Sequence, residues 1–161
     1  MEPIPLSVRS LVELVLRCGD IDSRYTDSSV MYEGAAAHRK IQKAMGDNYQ
    51  PEVTLKRTVE IDGQPVLLQG RADGVFTEDG ITYIDEIKTT TLPLELLRRQ
   101  EAVHLGQAKC YAYLLLHTMD NPPPTMGIQL TYFQLDSEEL ERSRMVFTAG
   151  EIDAFFDDTI R

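Results

Sequence analysis

The stretch from Gly70 to Thr91 constrains this chain more than any other. Gly70-Arg71-Ala72-Asp73-Gly74-Val75-Phe76 and Tyr83-Ile84-Asp85-Glu86-Ile87-Lys88-Thr89-Thr90 are two strand-like runs that end in ionisable residues. Between them, Thr77-Glu78-Asp79-Gly80 carries the Asp-Gly signal of a tight hairpin. Residues 86 and 88 are two apart, so on an extended strand their side chains leave the same face, and a neighbouring strand can bring Asp73 to the same edge. Two carboxylates and one ammonium then converge. Carboxylates facing one another repel, and a hard divalent cation with oxygen ligands, Mg²⁺ or Mn²⁺, commonly makes such a cluster tolerable. Lys88 would stand beside that ion, placed to hold or activate a water.

The surrounding residues extend this unit. Val53 to Ile61 reads as a strand that turns at Asp62-Gly63 into a second strand from Pro65 to Phe76, with Asp73 within it or at its end. Gly70 and Gly74 bracket the aspartate and point to a close backbone approach, for example by substrate, or to a bulge. Glu60 is expected to pair across the hairpin, and Glu52 is a further acid able to approach the site. In the third strand, Ile81 to Thr89, strict alternation puts Asp85 on the face opposite Glu86, beside Tyr83 and Ile87, where a sheet should be apolar. A strand bend, an exposed rim or a third carboxylate would each account for it. Spacing from Lys88 favours Glu86 as the metal-binding acid.

Upstream, Val8, Leu11, Val12, Val15 and Leu16 have amphipathic helical spacing, with Ser7 as cap and Gly19 as stop. Asp20 to Ser28 reads as a loop. A second helix is predicted from Ser29 to Met45, with Met31, Ala35, His38, Gln42 and Met45 on one face and Arg39, Lys40 and Lys43 as a basic face that is solvated or touches phosphate. Downstream, Pro93 opens a short helix from Leu94 to Arg99, followed by a longer one from Ala102 to Met119 on which Gln107 and Tyr111 stack at i and i+4. After a rigid Pro122-Pro123-Pro124 linker come strands over Met126 to Leu135 and Leu140 to Thr148. A capping box of Thr148 and Glu151 then starts a final helix.

An Asp on one strand, followed on the next by an acid, one apolar residue and a Lys, resembles the PD-(D/E)XK nuclease superfamily. His38 upstream, with Gln107 and Tyr111 in the helix after the lysine strand, resembles the extra motifs of its RecB-like exonuclease branch. The whole length looks like the N-terminal nuclease domain of some bacterial helicases. The resemblance implies an α/β fold: a restriction-endonuclease-like core with a central mixed β-sheet of about five strands flanked by helices. It implies a metal-dependent DNA nuclease, an exonuclease on single-stranded ends in repair or recombination, in which Asp73, Glu86 and Lys88 are catalytic. Asp73, Glu86, the Ile87 carbonyl and His38 would hold Mg²⁺ or Mn²⁺, and Gln107 and Tyr111 would orient the strand or support the lysine. The family usually has a hydrophobic residue where Asp85 stands. Some RecB-like relatives hold an iron–sulfur cluster on four cysteines, which a chain with only Cys18 and Cys110 cannot build. Those two isolated thiols read as small core residues and argue against a zinc site or a disulfide framework.

The net charge of -10 runs against phosphate binding, which normally rests on Lys and Arg. The acidity is concentrated after residue 113, where nine Asp and Glu face three Lys and Arg, away from the motifs. Weak DNA affinity is therefore expected of this chain alone, with a helicase domain or subunit as the gripping partner. A different class of function, a catalytically weak nucleic-acid-binding or docking module of a helicase–nuclease assembly, is the alternative. No apolar run is long enough to span a bilayer and no basic-then-apolar leader is present, so a cytoplasmic location is expected. At 161 residues, one domain is expected over 1–161. The end inside an amphipathic helix suggests a piece of a longer protein.

Overall fold

A long hairpin organises the sheet. In this computed structural model, which describes residues 2–16 and 28–160, β2 (Tyr49–Ile61) and β3 (Gln64–Glu78) pair antiparallel from Ile61 and Gln64 to Tyr49 and Phe76. Asp62 and Gly63 turn the chain at φ 51° and 78°, the left-handed geometry whose twist matches a two-residue hairpin. Because β2 covers one edge of β3, the sheet can grow only from the opposite edge. There β1 (Ile4–Ser7) runs parallel to residues 66–69, and β4 (Ile81–Thr90) runs antiparallel to residues 74–78. Residues 70–73 lie in a notch between them. β5 (Thr125–Gln134) continues parallel to β4, and β6 (Leu140–Thr148) closes the far edge antiparallel to β5. The result is the expected central mixed sheet, with six strands in the order β1-β3-β4-β5-β6 and β2 against β3. The additional strand, β1, is only four residues long and contains Pro5, which is tolerated at a sheet edge but hides the strand from a pattern reading.

Helices cover both faces. α1 (Val8–Leu16), α4 (Glu101–Leu116) and α5 (Ala149–Thr159) pack with Leu68, Ile84, Met126, Ile128 and Leu130 in the main core. Ile87 and Phe133 are of opposite parity on their strands and face the other way, where they meet Ala37 and Ile41 of α2 (Ser28–Ala44). This corrects the expected α2 face: Ala35 is exposed, Ala37 and Ile41 make the apolar contact, and His38 and Gln42 lie beside it. α4 is buried nearly all round, with small residues Gly106, Ala108 and Ala112 allowing close packing. It ends at Leu116 rather than Met119, and α3 (Leu94–Arg98) precedes it.

Local signals act as expected where they can be followed. Ser7 Oγ accepts the Ser10 amide at 3.0 Å at the start of α1, and Thr148 and Glu151 form both bonds of the capping box on α5. Cys110 is buried in the core, and burial pushes its thiol up to about 12. Cys18, Gly19 and the loop expected from Asp20 onward lie outside the described residues. No described helix is long and apolar enough to cross a membrane.

Sheet packing leaves little room at Gly127 on β5, where an added Cβ would fall 2.3 Å from Tyr83 Cδ1 and 2.5 Å from Cε1. Tyr83 cannot swing away freely, because its ring stacks on Phe76 at 5.0 Å. Gly127→Ala should therefore destabilise the protein by about 1–3 kcal/mol, read as a lower urea midpoint with an unchanged m-value.

Candidate active site

The sheet forks at the residues singled out by the sequence. Pairing of β3 with β4 runs from Glu78 and Ile81 to Gly74 and Asp85 and stops there, while β4 continues against β5 through Glu86, Ile87 and Lys88. Beyond the fork the Ile87 amide has no β3 backbone acceptor, and it donates to Asp73 Oδ2 at 2.7 Å. A side-chain carboxylate thus stands in for the departed strand. The β2 side is irregular at the same level: Glu52, at φ 55°, is passed over between the Pro51–Gly74 and Val53–Ala72 pairs. The Asp73 carbonyl accepts instead from Gln42 Nε2 of α2 at 2.8 Å, and the same nitrogen donates to Glu52 Oε1 at 3.1 Å. Arg71 Nε pairs with Glu52 Oε2 at 3.0 Å. His38 Nδ1 faces Asp73 Oδ1 at 3.6 Å.

Glu86 and Lys88 leave β4 on the α4 side and pair with one another, Oε1 to Nζ, at 3.1 Å. Glu86 is 5% exposed, and its Oε2 is buried without a hydrogen-bond partner. Burial pushes its carboxyl up to about 7; the Lys88 charge pulls it down and the Asp73 charge adds to the rise. From α4, Tyr111 lies against Gly70 in the notch, where a Cβ on residue 70 would come 2.7 Å from its Cε1. Burial raises the Tyr111 hydroxyl, and the Glu86 and Asp73 charges raise it further. Gln107, one turn earlier, is buried with its Oε1 unpartnered. His38, Asp73, Glu86, Lys88 and Tyr111 thus meet at one notch from four elements, and Gln107 lies one turn before Tyr111 on α4.

Other expectations are corrected. Asp85 is on no exposed rim and is no third carboxylate of the notch. It is 0% exposed on the opposite face, accepting from Tyr49 Oη at 2.6 Å, Thr131 Oγ1 at 2.7 Å and Gln129 Nε2 at 3.2 Å. Tyr49 is also what approaches Gly74, whose added Cβ would fall 1.9 Å from the tyrosine Cζ and Oη. Glu60 does stand across the hairpin from β3, with Pro65 as its register partner. Lys40 pairs with Glu138 at 2.8 Å, while Arg39 and Lys43 line a groove of about 410 Å³ with Gln42, Asp47, Tyr49 and Pro51.

Two polar neighbours of Lys88 had no signal in the sequence. Tyr132 is its register partner on β5, and His104 Nδ1 lies 2.7 Å from the Tyr132 hydroxyl. Burial, followed by the Lys88 charge, lowers His104 to about 4, so the imidazole is neutral near pH 7. The sequence puts Gln42 on α2 but gives it no role; its link to the Asp73 carbonyl becomes visible only with the fold.

Among the described residues, no three His, Cys, Asp or Glu side chains close into a metal cage. One or two carboxylates completed by other oxygens or water is, however, a common way to hold Mg²⁺. The unpartnered Glu86 Oε2 beside Asp73 fits such an ion, because a cation would satisfy an oxygen that the protein leaves bare.

A model of the PD-(D/E)XK nuclease superfamily matches residues 10–160. The structure is similar to the crystal structure of SSO0001, at 20% identity and a TM-score of 0.61 over 99% of this chain and 76% of that one, a likeness that speaks to the fold alone. It is also similar, at 10% identity and a TM-score of 0.46 over 95% of this chain and 75% of that one, to a phage related exonuclease from Haemophilus somnus 129PT. No curated protein matches.

The Glu86 carboxyl sets a pH dependence with a definite sign. The folded protein holds this proton more tightly than the unfolded chain, so the protonated form stabilises the fold below the ordinary value of 4.5, and that stability is lost as pH rises towards about 7. In metal-free buffer, the urea midpoint of the unmodified protein should fall across this window relative to that of Glu86→Gln. Parallel pH profiles of the two proteins would contradict the assignment.

Proposed function

Because the chain belongs to the PD-(D/E)XK nuclease superfamily, we propose that it is a metal-dependent deoxyribonuclease of the RecB-like branch, an exonuclease acting on single-stranded DNA ends in repair or recombination. The observation that carries this reading is the fork, which sets Asp73 against the Ile87 amide and leaves Glu86 half-satisfied beside Lys88. Asp73, Glu86 and the Ile87 carbonyl would hold Mg²⁺ or Mn²⁺, with His38 as a further ligand. A bound divalent ion supplies charge neutralisation at the phosphate and a water of lowered pKa.

The chain's own residues do the rest. Lys88, held by Glu86, positions the attacking water and offsets the negative charge that gathers on the phosphate oxygens. Gln107 offers an unpaired acceptor, which suits an ammonium better than a phosphate, so it supports Lys88. Tyr111 walls the notch and orients the strand. Arg39 and Lys43 line a groove next to Gln42, which itself touches Asp73, and there they offer a path for phosphates beyond the one being cut. The net charge of -10 favours a second reading, a binding or docking module with little turnover, and intact Asp73, Glu86 and Lys88 weigh against it.

Lys88→Ala should leave the fold intact and lower Mn²⁺-dependent cleavage of a labelled single-stranded oligonucleotide by about 10²–10⁴-fold. Full activity in a pure preparation would sink the mechanism, and faster cleavage of RNA or duplex DNA in competition would redirect the substrate assignment. The double substitution Arg39→Ala with Lys43→Ala should raise KM, leave kcat near its original value and flatten the salt dependence of binding.

A further inference from the structure

The fork leaves a mechanical problem. Once the ladder between β3 and β4 has stopped, the separation of Asp73 from Glu86 depends on the last rung, the pairing of Gly74 with Asp85. Gly74 follows Asp73 and Asp85 precedes Glu86, so a small rotation about that rung moves the two carboxylates apart.

We propose that Tyr49 and Asp85 form a clamp across the reverse face of that rung, and that both are positioning residues for the metal site at the notch. This inference rests on the proposed function. The Tyr49 ring crosses directly over Gly74 and delivers its hydroxyl to Asp85 Oδ2 at 2.6 Å, spanning the rung from β2 to β4. Only glycine at residue 74 permits this passage, since any Cβ would lie 1.9 Å from the tyrosine Oη. The ring is itself fixed by stacking on Phe76 at 5.9 Å, and Phe76 stacks in turn on Tyr83.

The carboxylate end of the clamp is anchored from the other side. Thr131 and Gln129 of β5 donate to Asp85 Oδ1 at 2.7 and 3.2 Å. Gln129 Oε1 accepts from Arg144 Nε of β6 at 2.8 Å, and Arg144 Nη1 pairs with Glu78 of β3 at 3.0 Å. One polar network thus reaches five strands.

A fully buried carboxylate is a costly way to stabilise a sheet, and an apolar residue at this position would pack with no such penalty. Burial pushes the Asp85 carboxyl up, against the lowering effect of its three donors. What an aspartate provides and an apolar side chain does not is a directional hold on Tyr49, and through it on Gly74 and Asp73.

The Ile87 amide reports on the clamp directly, because its hydrogen bond to Asp73 crosses the fork. In metal-free Tyr49→Phe, Ile87 amide exchange should quicken at least about tenfold relative to the β5 amides of Ile128 and Leu130. The Mn²⁺ concentration that half-saturates cleavage should rise about 10–100-fold, with the rate at saturating Mn²⁺ largely restored. Phe156→Leu, which loosens the stacking of α5 on Tyr113 away from the fork, is the stability control and should move neither quantity. Unchanged Ile87 exchange in folded Tyr49→Phe would overturn the clamp. If the unmodified protein requires no divalent metal, the proposed function fails, while Ile87 exchange in Tyr49→Phe still upholds or overturns the clamp.

Discussion

A hydrogen bond from a backbone amide to a side-chain carboxylate, Ile87 to Asp73, allows this sheet to open without stranding a polar group. An unpaired buried amide costs about 1–3 kcal/mol, so a strand cannot leave its neighbour unless something replaces the lost acceptor. Asp73 is that replacement. In accepting the amide through Oδ2 it also fixes the direction of its own Oδ1, while Gln42 takes the Asp73 carbonyl from the α2 side. The fork and the orientation of its principal carboxylate are therefore one feature.

The charge distribution follows from the same opening. Glu86 and Lys88 sit where β4 has lost β3 on one side and is covered by α4, so they are held in a largely dry place. Their ion pair is weak grounds for stability, because desolvation offsets much of the attraction. Among the described residues, the two buried side-chain oxygens without partners are Glu86 Oε2 and Gln107 Oε1, the first at this notch and the second one turn before Tyr111 on α4. Folded proteins rarely leave such atoms bare, and a bound ion or a catalytic role is one reason they do.

Features with a local physical signature were legible in the sequence. Asp62-Gly63 and Asp79-Gly80 mark turns because their backbones need positive φ, and Thr148 with Glu151 marks a helix start because the side chains satisfy end amides. Two-residue periodicity placed Glu86 and Lys88 together, and four-residue periodicity placed Gln107 with Tyr111. Features created by the meeting of distant segments were not legible. β1 becomes a strand only by pairing with Val66 to Gln69, and Tyr132 joins Lys88 only through the parallel register of β5. Strand alternation marks Asp85 as out of place. Its three donors come from β2 and β5, and no local pattern could identify them.

The most direct test of the account is calorimetric titration of Mn²⁺ into the purified protein, with a short non-cleavable single-stranded oligonucleotide present so that substrate can complete the coordination. Saturable binding that Glu86→Ala abolishes, with the protein still folded, is the expected result. Mn²⁺ binding of equal affinity in Glu86→Ala, or no binding to the folded unmodified protein even with the oligonucleotide, would contradict it.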